Sequence, residues 1–154
     1  MKKKKALIVS ILVSVGAGAL AAFFTRNSME VYENLVQPPL SPPSWVFPLV
    51  WTILYILMGI SAYLIYRSDS FYRNSVLRIY AAQLIVNFFW TIIFFNLEMY
   101  LFAFLWLLLL LGLVILMIYS FSEINKTAAY LQIPYLLWII FAGYLNFGIY
   151  WLNK

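Results

Sequence analysis

Cysteine and histidine are absent from the 154 residues, and charge is scarce, with ten Lys or Arg and five Asp or Glu. Without cysteine there is no disulfide, no thiol nucleophile and no zinc thiolate site. Without histidine the commonest metal ligand and the usual near-neutral proton shuttle are both missing. What remains is 66% hydrophobic and 20% aromatic, with a mean hydropathy of +0.93. That composition belongs to an integral membrane protein, and the length suits one domain of several spanning helices with no soluble catalytic domain beside them.

Apolar runs free of charge cover residues 6–24, 45–66, 79–95, 99–121 and 128–152. Each approaches the ~20 residues a helix needs to cross a hydrocarbon core. The runs are continuous rather than alternating, which predicts helices rather than barrel strands. The expected architecture is therefore all-α: a bundle of five transmembrane helices in a single domain, residues 1–154, with a long loop at 25–44 between the first two. If the N-terminus is cytoplasmic, the inner side carries Lys2 to Lys5, Arg67, Arg73, Arg78 and Lys126, and the outer side only Arg26 and Lys154. This positive-inside pattern predicts a multi-pass protein of the cell membrane with a cytoplasmic N-terminus. It also explains the KKKK start without a nucleic-acid partner.

That start resembles a secretory signal peptide too, with Ala17-Gly18-Ala19 as a cleavage site. The run continues through Leu20 to Phe24, however, which makes it long enough to span. Ser10, Ser14, Gly18 and Ala22 recur every four residues. Such a stripe lets another helix approach closely, either from the same chain or from a second copy in a homodimer.

No acid, amine or guanidinium lies inside the runs, which argues against a proton-coupled pump; with histidine and cysteine absent, an intramembrane metalloprotease and a histidine-ligated haem protein are equally disfavoured. A passive carrier stays open. Helical spacing places Pro48, Trp51, Tyr55 and Met58 on one face of the second span, Gln83, Asn87 and Trp90 on one face of the third, and Tyr135, Trp138, Ala142, Leu145 and Asn146 on one face of the fifth. At about 1.5 Å per residue, Trp51, Asn87 and Ala142 fall in the outer half, where they can share a cavity. Each has a plainer alternative: Trp51, Trp90 and Trp138 as packing, Gln83 and Asn87 as interhelical hydrogen bonds, and Trp45, Tyr100, Tyr150 and Trp151 as an interfacial belt. An aromatic cavity of this kind suits a flat hydrophobic ligand. Arg26 and Lys154 could meet a carboxylate at its rim.

Five of the six prolines fall between Pro38 and Pro48, in the stretch QPPLSPPSWVFPLVW. Proline fixes its own φ and holds the preceding residue extended, so residues 38–43 cannot be helical. The long loop is thus a stiff cover on the same side as the cavity.

Three stretches, PPLSPPSWVFPLVWTILYILMG, QLIVNFFWTIIFF and PYLLWIIFAGYLNFGIYWLN, resemble the TspO/MBR family of tryptophan-rich sensory proteins, translocator proteins and peripheral-type benzodiazepine receptors. The leucine-filled fourth span shows the least likeness. The resemblance implies a five-helix bundle, often dimeric, that binds protoporphyrin IX and isoquinoline carboxamide or benzodiazepine-type drugs beneath the first loop. By resemblance the pocket would be lined by Tyr32, Pro42, Trp51, Asn87, Trp90, Trp138, Ala142 and Leu145. It further implies a light- and oxygen-dependent breakdown of protoporphyrin to a bilin-like product, with Trp51 and Trp138 as the catalytic residues, no metal and no separate cofactor. The alternative it leaves open is a non-enzymatic porphyrin or sterol carrier, or a stress sensor. Leu145, Tyr150 and Lys154 fit the loose cholesterol pattern, which is easily met by chance.

Overall fold

A computed structural model describes residues 2–154 and, among them, contains helices and connecting loops but no strand. The order is α1 (Lys2–Thr25), α2 (Met29–Glu33), α3 (Val46–Tyr66), α4 (Arg73–Thr91), α5 (Tyr100–Ser122), α6 (Lys126–Leu131) and α7 (Ile133–Asn153). Five helical segments are long and apolar enough to cross a membrane: Lys2–Glu33, Val46–Tyr66, Arg73–Asn96, Tyr100–Ser122 and Lys126–Asn153. The protein is a multi-pass membrane protein with one lysine- and arginine-rich end and, opposite, an end closed by the proline loop.

Three departures from plain spans matter for function. The loop expected at 25–44 is helical in its first part: a 3₁₀ turn at Arg26–Ser28 leads from α1 into α2, and only residues 34–45 form the non-helical cover. Apolar run length cannot see that continuation, because Arg26, Glu30 and Glu33 break the hydropathy while leaving helix geometry free. The third span ends in a π-helical turn, Ile92–Asn96, in which the Leu97 amide donates to the Ile92 carbonyl at 3.1 Å. The fifth span is two helices. Pro134, in the first turn of α7, has no N–H for the Tyr130 carbonyl, so the chain breaks at Gln132. Asn125 opens α6 by accepting from the Ala128 amide at 3.1 Å.

The small-residue stripe of the first span is used within the chain. Ser10 donates to the Gly59 carbonyl and Ser14 to the Tyr55 carbonyl, each at 2.6 Å, and Gly18 lies against the Tyr55 ring. In lipid no hydrophobic force draws helices together, so close backbone approach and hydroxyl bonds of this kind set the pairing of α1 with α3. A homodimer, which remains a proposal, would need another face.

Gly59 is where this approach is closest. A Cβ there would come within 2.6 Å of the Ile11 Cα, which is backbone and cannot give way. Gly59→Ala should therefore cost about 1–3 kcal/mol, read as a lowered thermal midpoint in detergent. Gly112→Ala is the control: nothing lies within 4 Å of that position, and alanine in a helix interior should leave stability unchanged or raise it by about 0.5–1 kcal/mol.

Candidate functional site

At the covered end, α1, α2, α3, α4, the π turn and α7 surround a cavity of about 400 Å³. Its floor and walls are aromatic because each helix turns its large side chains toward the gap left by Gly18, Ala21 and Ala22 of α1. Trp51 of α3 stands at the centre. It stacks on Tyr55 at 5.6 Å, meets Tyr135 edge-on at 6.2 Å, and lies 6.4 Å from both Trp90 and Trp138, at right angles to the latter. Such offset and edge-to-face contacts are the favoured aromatic geometries. Higher up, Tyr32 of α2 packs on Phe47 at 5.7 Å and on Phe95 at 5.6 Å, so the short helix that follows α1 forms the ceiling.

Tyr32, Trp51, Trp90, Trp138, Ala142 and Leu145 are brought together on this wall. Pro42 and Asn87 are not among its lining residues. Asn87 is fully buried behind the wall: its amide donates to the Tyr135 hydroxyl at 3.0 Å, and that hydroxyl donates to Gln83 Oε1 at 2.7 Å. Residues on one helical face share a direction but not a depth, and here a tyrosine of α7 takes the Asn87 Nδ2 donor while Oδ1 has no partner. Pro42 lies in the cover, half-buried, whereas the proline of the stretch that does reach the wall is Pro48.

Sequence spacing did not single out Phe47, Phe94, Phe95 or Met29, which complete the wall. Phe94 and Phe95 belong to the π turn, whose extra residue shifts the helical register and turns both rings inward. An IIFFN stretch gives no warning of that shift.

The wall's polar groups are largely engaged by the protein itself. Trp90 Nε1 donates to Asn146 Oδ1 at 3.0 Å, Asn146 Nδ2 donates to the Tyr100 carbonyl at 2.9 Å, and Thr25 donates to the Ala21 carbonyl at 2.9 Å. Trp138 Nε1 is buried with no hydrogen-bond partner. The one charged side chain lining the cavity is Glu33, whose carboxylate accepts from Ser44 at 2.9 Å. Neither cation expected at the rim is part of the wall: Arg26 lies over the Phe23 ring at 3.9 Å, and Lys154 over the Trp151 ring at 3.6 Å. Leu145 faces the cavity while Lys154 rests on Trp151, so Leu145, Tyr150 and Lys154 do not form one surface. No cluster of acidic residues capable of holding a metal occurs among the described residues.

The cover is latched to α7. The Asn153 side chain meets Val36 twice, accepting from its amide at 3.0 Å and donating to its carbonyl at 2.8 Å. The Tyr144 hydroxyl donates to the Pro39 carbonyl at 2.6 Å, and Pro38 packs so closely on Gly148 that a Cβ there would lie 2.7 Å from its ring. At the other side Asn96 donates to the Phe24 carbonyl at 2.9 Å and accepts from Ser28 at 2.6 Å, fixing the turn between α1 and α2.

Residues 9–152 match the model of the TspO/MBR family. A tryptophan-rich protein TspO of Archaeoglobus fulgidus is 35% identical over 149 residues, covering 96% of each chain. A tryptophan-rich sensory protein of Cereibacter sphaeroides is 34% identical, covering 96% of this chain and 92% of the relative. The translocator protein of Bos taurus is also 34% identical, covering 94% of this chain and 88% of that one.

Because two of the bonds that hold the cover come from one side chain, Asn153→Ala should release it. Amide exchange at Val36 should accelerate by about tenfold, the loss expected for roughly 1.4 kcal/mol of local opening, while exchange in α3 and α5 stays unchanged.

Proposed function

The chain belongs to the TspO/MBR family, and on that premise we propose that its aromatic cavity binds protoporphyrin IX, as well as isoquinoline carboxamide and benzodiazepine-type drugs, and supports light- and oxygen-dependent breakdown of the bound porphyrin. The observation that carries this reading is the meeting of Trp51 and Trp138, at right angles and 6.4 Å apart, on the wall of one largely apolar cavity. Its volume of about 400 Å³ lies within the ~300–1,000 Å³ usual for small-molecule sites. A flat conjugated ring can lie against several indole and phenol faces there without displacing bonds the protein makes to itself. Trp138 Nε1 is a free donor for an acceptor on that ring.

The chain's own part in such a reaction is limited to what its residues offer. They bind and orient the ring, exclude water, and hold two electron-rich indoles beside a photoexcited porphyrin, with O₂ as oxidant. Neither an added cofactor nor a metal has a role in this scheme. The second reading, a carrier or stress sensor that binds the same ligands unchanged, is favoured by the scarcity of proton-transfer groups: Glu33 is the wall's only carboxylate. By the positive-inside rule, the basic end of the bundle faces the cytoplasm of a cell-membrane protein and the cover faces outward.

Purified protein, given protoporphyrin IX and followed by absorbance, should bleach the porphyrin in light with oxygen faster than detergent alone, and not in the dark or without oxygen. Trp51→Phe and Trp138→Phe should each slow bleaching several-fold while retaining binding, and mass analysis should show one bilin-like product. Bleaching at the detergent rate with intact binding would leave the carrier reading. Since Glu33 stands at the mouth with no cation beside it in the wall, Glu33→Gln should tighten binding of this anionic porphyrin about twofold to threefold at low salt. The gain should vanish in 1 M salt, where screening acts over about 3 Å.

A further inference from the structure

We propose that ligand reaches the cavity sideways from the bilayer, through a slot between the covered ends of α1 and α3, while the cover stays latched to α7. The proposal rests on the reading that this cavity is the porphyrin site. Its starting observation is the distribution of exposure around the wall. Four lining residues are exposed, Ala22, Glu33, Trp45 and Pro48, and all lie on the α1–α2 segment or at the start of α3. Every lining residue contributed by α4, the π turn and α7 is buried or half-buried. Exposure around the wall is thus concentrated on the side of α1, α2 and the start of α3.

The slot follows from how α1 and α3 pair. Their contact is tightest toward the basic end, where Ser10 and Ser14 bond to the Gly59 and Tyr55 carbonyls and Gly18 meets the Tyr55 ring. Beyond Gly18 no side-chain hydrogen bond joins the two helices among the described residues. The next positions on α1, Ala21 and Ala22, carry only methyl side chains, and with Pro48 and Trp51 of α3 they line the cavity. At its upper edge the slot is crossed by the hydrogen bond from Ser44 to Glu33. Below that bond the exposed edges are an alanine and a proline within helices long and apolar enough to cross a membrane, where lipid would lie against them.

The other conceivable way in, lifting the cover, requires more to be broken. Both Asn153 bonds to Val36, the Tyr144 bond to Pro39 and the packing of Pro38 on Gly148 hold the cover to α7. A hydrophobic ligand already concentrated in the bilayer meets the slot without disturbing any of these. A ligand bearing carboxylates would pass ring first and leave its charges near the headgroups, which agrees with the lack of a cation in the wall.

The test measures protoporphyrin IX binding and release rates with the full chain in phosphatidylcholine nanodiscs. Ala22→Phe and Pro48→Phe narrow the slot from either side. Both should slow dissociation as well as association, by about tenfold, because a narrowed gate raises the barrier in both directions, whereas damage to the wall, which these two residues also line, would speed release. A Val36→Cys/Asn153→Cys pair, whose disulfide forms in a chain with no other cysteine, should leave both rates as they are once loss of free thiol confirms closure. The route is overturned if the two phenylalanine variants bind at the original rates, if they abolish equilibrium binding, or if the oxidised cover alone stops uptake. Absence of saturable binding by the unsubstituted protein would instead sink the porphyrin reading, and the route with it.

Discussion

Hydrocarbon solvates no amide, and this constraint decides how the helices sit. The interior holds few strongly polar side chains, and several of those that are buried tie one helix to another, although Gln132 finds no partner for either side-chain atom. Tyr135 of α7 links to both Gln83 and Asn87 of α4; Asn146 of α7 links Trp90 of α4 to the backbone of α5. A partner lost from such a bond has no water to replace it, so each link costs about 1–3 kcal/mol to break. The two links tie α4 to α7, and these helices bound the cavity on that side.

On the opposite side the spacing is set by smallness rather than by amides. Ser10, Ser14 and Gly18 let α1 press against α3, and Gly59 receives it. Where that contact ends, nothing fills the space, and the aromatic rings of α3, α7 and the π turn line it. The cavity is thus the region between a rigid pair held by hydrogen bonds and a pair pressed together only at one end. Trp51 sits at the junction and touches residues of both sides.

Much of this could be read from the residues. Continuous apolar runs marked all five spans, since length and lack of charge are what a bilayer demands. The i, i+3, i+4 rule put Trp51, Trp90, Trp138, Ala142 and Leu145 on facing stripes because α-helix geometry holds across those segments. It could not separate Asn87 from them, because a helical face says nothing of which neighbour arrives first, and Tyr135 does. The π turn at Ile92–Asn96 escaped for a related reason: an inserted residue changes the register without changing composition. Pro134 lies inside the fifth apolar run, and a break at Gln132 leaves the hydropathy unchanged, so run length shows one span where there are two helices. The proline stretch was legible as stiff; its latch on Asn153, Tyr144 and Gly148 was not, since those residues lie more than a hundred positions away.

The remaining consequence concerns what a wall of this chemistry can do to a bound ring. Carboxylates on a ligand find no cation in the wall, and Glu33 at the mouth repels them. Under the porphyrin reading such a ligand would still lie with its charged edge at the opening, where water and headgroups solvate the carboxylates despite Glu33, and its apolar edge inward. That orientation presents the apolar edge of the ring to Trp51 and Trp138, the pair held fixed by Tyr55, Tyr135 and Phe47. Stacked and edge-on neighbours restrict both indoles. Orientation by exclusion of charge, and proximity by immobile aromatics, are the two means by which a site without acid or base next to its indoles can favour attack at one edge of a macrocycle. A carrier needs the first of these alone. Under the breakdown reading, the tryptophan pair supplies the second as well as the first.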